Sequence, residues 1–328
     1  MLDNHGRKID YLRISITDRC NMRCVYCMPE KGIDWQPHQL IMRYEEIIKF
    51  VRVAVDYGIK KVRITGGEPL VRPGIEEFVK MLRDIEKLED ISMTTNGYLL
   101  AEKAKQLKEA GLNRVNISLD TLNPVMFNKI TRSGEISRVW EGILAAYDYG
   151  LTPIKINCVV IRGINDNQLI DMVNLTKNYS WHIRFIELMP IKNAGSWGED
   201  FPNIKDAYIS TQEMKSILKG CPLVPVDNSL RNGPASLYQV PGYLGYVGFI
   251  SPIDDNHFCE RCNRLRLTSD GFLRPCLMSD MEINVLNTIR ENGDLNKVLQ
   301  QAIRLKPRKH ELILNNSPEI RTMRQIGG

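Results

Sequence analysis

Residues 11–27 read YLRISITDRCNMRCVYC, a short strand-like run that leads straight into three cysteines. Tyr11–Ile16 has the length and composition of a β-strand, and Thr17, Asp18 and then Cys20, Cys24 and Cys27 follow it. Three thiolates can hold a cubane iron–sulfur cluster by three of its irons and leave the last iron open. An electron-transfer ferredoxin normally supplies a fourth cysteine, so the spacing points to a reactive cluster. A zinc site built on the same three cysteines is the alternative. Chemistry that follows a strand directly belongs to the C-terminal rim of a parallel α/β sheet.

The same arrangement recurs along the chain. Further strands are predicted at Lys61–Thr65, Ile91–Thr95, Arg114–Ser118, Ile154–Ile161 and Ile183–Leu188. Amphipathic helices lie between them, clearest over Arg43–Tyr57 and Ile136–Tyr149. Repeated β–α units with no antiparallel hairpin signal imply a parallel sheet with helical crossovers. An open doubly wound sheet and a barrel both satisfy that pattern. Each strand end carries chemistry: Gly66-Gly67-Glu68-Pro69, Asn96-Gly97, Ser118 with Asp120, and Glu187 with Met189 and Pro190.

After Pro190 the pattern changes. Residues 191–235 are loop-like, and short β pieces follow around Tyr238–Ile250. Arg264–Leu277 reads as a hairpin turning at Ser269-Asp270-Gly271. Helices are expected over Met281–Glu291 and Asp294–Leu305, and the chain ends Ile326-Gly327-Gly328. A second triplet, Cys259 and Cys262 just before the hairpin and Cys276 near its end, means that six of the eight cysteines fall into two groups. Two parts are therefore expected, 1–190 and 191–328.

At 328 residues the chain can bury a large core, and its 43% hydrophobic and 25% charged content is ordinary for a globular protein. No apolar run reaches the roughly eighteen residues of a membrane span, and Met1–Asp10 lacks a signal core. A cytoplasmic location follows, where clustered cysteines mean metal or catalysis more often than disulfides. The net charge of +5 is mild and carries no basic arm, which argues against nucleic acid as a partner.

The string CNMRCVYC after a first strand resembles the radical S-adenosylmethionine (SAM) superfamily, and ITGGEP (Ile64–Pro69) resembles its second signature. CNRLRL after Cys259, the distant Cys276 and the closing Gly-Gly narrow the resemblance to the molybdenum cofactor biosynthesis protein A family, the GTP 3′,8-cyclases. RITGGEP, TTNG and ISLD occur in the expected order, and the resemblance runs over nearly the whole chain. It implies an incomplete (β/α)6 barrel closed by the C-terminal region, with two 4Fe–4S clusters facing each other across the substrate. Cys20, Cys24 and Cys27 would hold the SAM-binding cluster, with Tyr26, Gly67, Glu68, Ser118 and Met189 meeting SAM. Cys259, Cys262 and Cys276 would hold a second cluster whose open iron meets guanine. Arg13, Arg63, Thr94, Lys155, Arg264 and Arg266 would bind GTP, and the glycine tail would thread into the site. A 5′-deoxyadenosyl radical would take the ribose 3′ hydrogen, and the sugar would then close onto C8 of the base.

The implied partners are an electron donor and, as the next enzyme, cyclic pyranopterin monophosphate synthase. Monomer and homodimer both stay open. Independently of the family, a triphosphate calls for several cations, and arginine suits it best because its planar fork donates in pairs. The competing readings are a two-cluster peptide maturase, a non-catalytic iron–sulfur or zinc protein, and an RNA-modifying enzyme.

Overall fold

The computed structural model describes residues 1–29, 32, 35–189, 197, 201–227, 233–310 and 321–327. Pro190 and Gly328, both singled out above, lie outside the described residues.

Six strands form the middle of one sheet: β1 (Tyr11–Ser15), β2 (Lys61–Thr65), β3 (Asp90–Thr95), β4 (Arg114–Ser118), β5 (Lys155–Val160) and β6 (His182–Glu187). They lie side by side in that order, and every neighbouring pair is parallel. Parallel neighbours need long crossovers, and helices such as Tyr44–Asp56 and Ile136–Asp148 provide them.

The C-terminal part adds β7 (Val224–Pro225), β8 (Ser236–Gln239), β9 (Tyr246–Ile250), β10 (Arg264–Leu267), β11 (Phe272–Arg274) and β12 (Ile283–Asn284). These strands extend both edges of the same sheet. β9 lies parallel to β6, with β8 and β7 antiparallel beyond it. β10 lies parallel to β1, with β11 and β12 antiparallel beyond it. Among the described residues β7 and β12 remain unjoined edges, so the barrel is incomplete.

Alternation along each strand divides the residues between two environments. Leu12, Ile14, Val62, Ile64, Val115, Ile117, Ile156 and Phe185 are fully buried in the apolar core shared with the helices. Their strand neighbours, Arg13, Arg63, Thr94, Asn157 and Arg184 among them, face the interior of the barrel and line its cavity.

Two expectations are corrected. The helix expected over Met281–Glu291 begins only at Val285 and ends at Arg290, because Ile283–Asn284 pairs with β11 and the Asn284 side chain caps the helix through Asn287 N at 2.8 Å. The stretch 191–235 is not all loop. Thr211–Ile217 is helical, started by a reciprocal capping box in which Ser210 Oγ accepts from Glu213 N and the Glu213 carboxylate accepts from Ser210 N.

Candidate functional site

The first triplet occupies the loop that leaves the C-terminal end of β1. The loop turns on Cys24, whose carbonyl accepts from Cys27 N at 2.9 Å and Met28 N at 3.0 Å. The second triplet lies at the opposite end. Cys259 and Cys262 form a turn closed at 3.1 Å just before β10, and Cys276 follows the returning strand β11. β10 runs parallel to β1 with Arg264 beside Tyr11, so these three cysteines sit at the N-terminal end of β1. A five-residue strand at about 3.3 Å per residue puts roughly 16 Å between the two groups. All six cysteines line one cavity of about 310 Å³.

The Gly66-Gly67 pair has a local cause. Gly67 N donates to Thr17 O and Glu68 N to Arg19 O, both at 2.8 Å, which clasps the loop after β2 to the loop that carries Cys20. A Cβ on Gly67 would stand 2.2 Å from Arg19 O, and one on Gly66 would stand 2.6 Å from Thr17 O. The close backbone approach that demands glycine is thus the approach of one loop to another.

Glu68 is 1% exposed and is not part of the cavity wall. Its carboxylate accepts from Leu70 N at 3.0 Å, Thr95 Oγ1 at 2.7 Å and Asn96 N at 2.7 Å. Burial pushes this carboxyl up to about 7. It ties the strand ends of β2 and β3 together, and the acceptor expected to face SAM is turned inward instead. Tyr26 does line the cavity, but its hydroxyl is committed to Asp120 Oδ2 at 2.6 Å. Asp120 Oδ1 accepts from Val159 N at 2.8 Å, so the carboxylate pins Tyr26 to the top of β5.

Cations crowd the inner face of the barrel. Arg266, Arg13 and Arg63 are register neighbours across β10, β1 and β2. Burial pushes Arg13 well below the usual arginine range, and Arg266 and Arg63 add to the shift. Burial takes Arg184 down to about 9, with Arg63 and Arg114 contributing, and takes Arg266 to about 10, with Arg264 contributing. Lys155 falls to about 5 for the same first reason, with Arg184 and Arg114 next. Cations that destabilise each other in a buried space suit a polyanion, whose charge would oppose the mutual repulsion that adds to these shifts. The Thr94 hydroxyl, the Asn157 side-chain oxygen Oδ1 and Arg184 Nε are buried there without a hydrogen-bond partner among the described residues.

Thr94, Ser118, Gly67, Met189, Arg13, Arg63, Arg264 and Arg266 all line the cavity. Lys155 does not: at 2% exposure it lies on the same face but beneath the wall, one alternation deeper on β5 than Asn157. Arg184 and Asn157 were missed. Their signal was strand parity, since Asn157 alternates with Lys155 and is paired in register with Arg184. The tail reaches the site, with Met323 on the cavity wall and Gly327 O accepting from Arg266 Nη1 at 2.9 Å. Gly327 has φ of +68°, and a Cβ there would meet Thr65 Cγ2 at 2.5 Å.

The donor set fits two iron–sulfur clusters. Each triplet is outside any disulfide and half-buried on a cavity wall. Among the described residues no three His, Cys, Asp or Glu side chains converge on one metal ion, and a cluster whose irons are ligated separately does not require it.

Residues 14–176 match the Radical SAM superfamily model, and residues 181–312 match Molybdenum Cofactor Synthesis C. Proteins named GTP 3′,8-cyclase are similar over the whole length. The one from Petrotoga mobilis is 52% identical with 100% of both chains covered, and the one from Listeria monocytogenes is 47% identical with 99% of this chain and 98% of its own covered. Among solved structures, SuiB of Streptococcus suis superposes with a TM-score of 0.63 at 13% identity, covering 90% of this chain and 69% of its own. The same protein bound to S-adenosylmethionine gives 0.62. At that identity the likeness speaks for the fold alone.

Proposed function

The chain belongs to the GTP 3′,8-cyclase family of the radical SAM superfamily, and from that membership we propose how its residues divide the work. It is a radical SAM enzyme of molybdenum cofactor biosynthesis that uses SAM and iron–sulfur clusters. GTP is its substrate, and the product is the 3′,8-cyclised dihydro nucleotide. Cys20, Cys24 and Cys27 would hold the first cluster, which with SAM would supply one-electron chemistry for removal of the ribose 3′ hydrogen.

The chain's own residues hold the substrate for that event. Arg13, Arg63, Arg264 and Arg266 take the triphosphate, joined by Arg184, whose guanidinium lies on the same wall. Thr94 offers a hydroxyl to the nucleotide. Lys155 acts from below the wall as a buried amine whose protonated form the incoming triphosphate would favour. Cys259, Cys262 and Cys276 carry the second cluster at the guanine end. Tyr26, held by Asp120, presents its ring toward SAM, beside Ser118, Met189 and the Gly67 backbone. Glu68 keeps the Gly66-Gly67 clasp in shape. Residues 1–190 form the radical SAM part, and 191–328 complete the cavity from both edges. Among the described residues no helix is long and apolar enough to cross a membrane, and the enzyme is proposed to act in the cytoplasm with a separate electron donor. Its product would pass to cyclic pyranopterin monophosphate synthase.

The observation that supports this reading is the placement of two cysteine triplets at opposite ends of one arginine-lined cavity. The test is anaerobic: reconstitute with iron and sulfide, add SAM and reductant, and quantify 5′-deoxyadenosine with GTP, ATP or no nucleotide. Formation stimulated by GTP alone, with a cyclised guanine nucleotide, is expected. Cleavage indifferent to GTP would overturn the substrate assignment.

A further inference from the structure

A buried ammonium group stands inside the second triplet. Lys306 follows the helix Leu295–Arg304 and is 3% exposed. Its Nζ donates to Arg264 O and to Pro275 O, each at 2.7 Å. One carbonyl lies two residues after Cys262 and the other immediately before Cys276. The ammonium thus bridges the two chain segments that deliver the cysteines. A buried cation is costly unless an opposite charge sits close to it. Carbonyls satisfy its protons but carry no net charge, and among the described residues no carboxylate pairs with it.

What does surround Lys306 is sulfur. Its side chain is hydrogen-bonded to Cys262, and its charge acts on all three cysteines of the triplet. Arg7 adds a second anchor, donating from Nη1 to Cys259 O at 2.9 Å. The first triplet has a different neighbour, the buried carboxylate of Asp120, which acts on Cys24.

We propose that Lys306 is the built-in counter-ion of the second cluster and raises its reduction potential above that of the first. The inference rests on the assignment of a cluster to Cys259, Cys262 and Cys276. Reduction adds negative charge, and a fixed cation in a low-dielectric setting stabilises the reduced form. Because the ammonium also ties β10 to the residue before Cys276, its charge and its hydrogen bonds must be separated experimentally.

The test is an EPR-monitored redox titration of the reconstituted full-length protein and of Lys306→Met, Lys306→Gln and Lys306→Arg, with iron and sulfide counted in each. The first cluster is the internal reference. Met and Gln should shift the second midpoint to lower potential and leave the first in place, while Arg should stay near the parent. Loss of the second cluster's iron in Met and Gln but not in Arg would equally support a charge role. An unchanged second midpoint in Gln, or loss of that iron in all three variants, would overturn the proposal. A parent protein that binds iron for one cluster only would instead defeat the underlying assignment.

Discussion

Cys20, Cys24 and Cys27 hang from a single loop at the C-terminal end of β1, beside the buried carboxylate of Asp120. Cys259, Cys262 and Cys276 are gathered from the two feet of a hairpin, and Lys306, Arg264 and Arg7 stand around them. The first cradle is shaped locally, by a turn on Cys24 and a two-glycine clasp. The second is shaped at long range, because its cations come from the N-terminus, from β10 and from the segment after residue 304. Similar sets of ligands are thereby given different charged neighbours, a carboxylate beside the first and an ammonium beside the second. A protein that places two clusters in one cavity needs some such difference to make them do different work.

The sharpest way to break the comparison is to remove one cradle at a time. Cys24→Ala should lose the first cluster's iron and all detectable 5′-deoxyadenosine formation while keeping the second cluster. Cys262→Ala should do the reverse, retaining SAM cleavage but forming no cyclised nucleotide. Iron analysis and product chromatography on both variants decide it. If either substitution empties both sites, the cradles are not independent.

Next in size is Arg266→Ala. A charge-assisted hydrogen bond contributes about 1.5–3 kcal/mol, so GTP should bind roughly 10–100-fold more weakly. SAM affinity should hold, because Arg266 lies level with Arg13 in the middle of β1 and not on the loop that carries the first triplet. Equilibrium dialysis with each ligand separates the two. A loss of SAM binding alongside GTP would blur the division of the cavity.

Gly67→Ala should cost roughly 1–3 kcal/mol of stability, since the new methyl group would stand 2.2 Å from Arg19 O and force two loops apart. The first cluster should become labile before the second, as iron release into a chelator would reveal. Simultaneous release from both would show that the clasp supports the whole barrel rather than one cradle.

The smallest effect is a pH slope. Burial raises the Glu68 carboxyl from 4.5 to about 7 in the folded chain. The folded state therefore holds this proton more tightly than the unfolded one. Its contribution to stability is fully present below about pH 4.5 and is lost as pH rises through about 7. Glu68→Gln should flatten the fall of Tm across that window in the cluster-free protein. An unaltered slope would mean that Glu68 is ionised throughout and hydrogen-bonded strongly enough to offset its burial.

Much of this was legible in the chain. The strands Lys61–Thr65 and Arg114–Ser118 fall where the pattern placed them, because alternation of Val62 and Ile64 with Arg63, and of Val115 and Ile117 with Asn116, is a local property of the backbone. The cysteine spacings were equally local. Glu68 was misplaced because its partners, Thr95 and Asn96, come from the next β–α unit. That Lys155 lies beneath the cavity wall was not legible, because sequence gives the face of a strand but not the depth along it.

By itself the sequence determined the parallel α/β class, the two cysteine triplets and the cation-bearing face, since each is written in spacing or in period two. Only the tertiary structure decided that the second triplet lies at the far end of β1, because that depends on β10 pairing with β1 across about 250 residues of chain. It also decided that Arg184 belongs to the cavity and that Lys306 lies among the sulfurs. Charge acts through space, and the distances that set its strength do not exist until the sheet has closed around them.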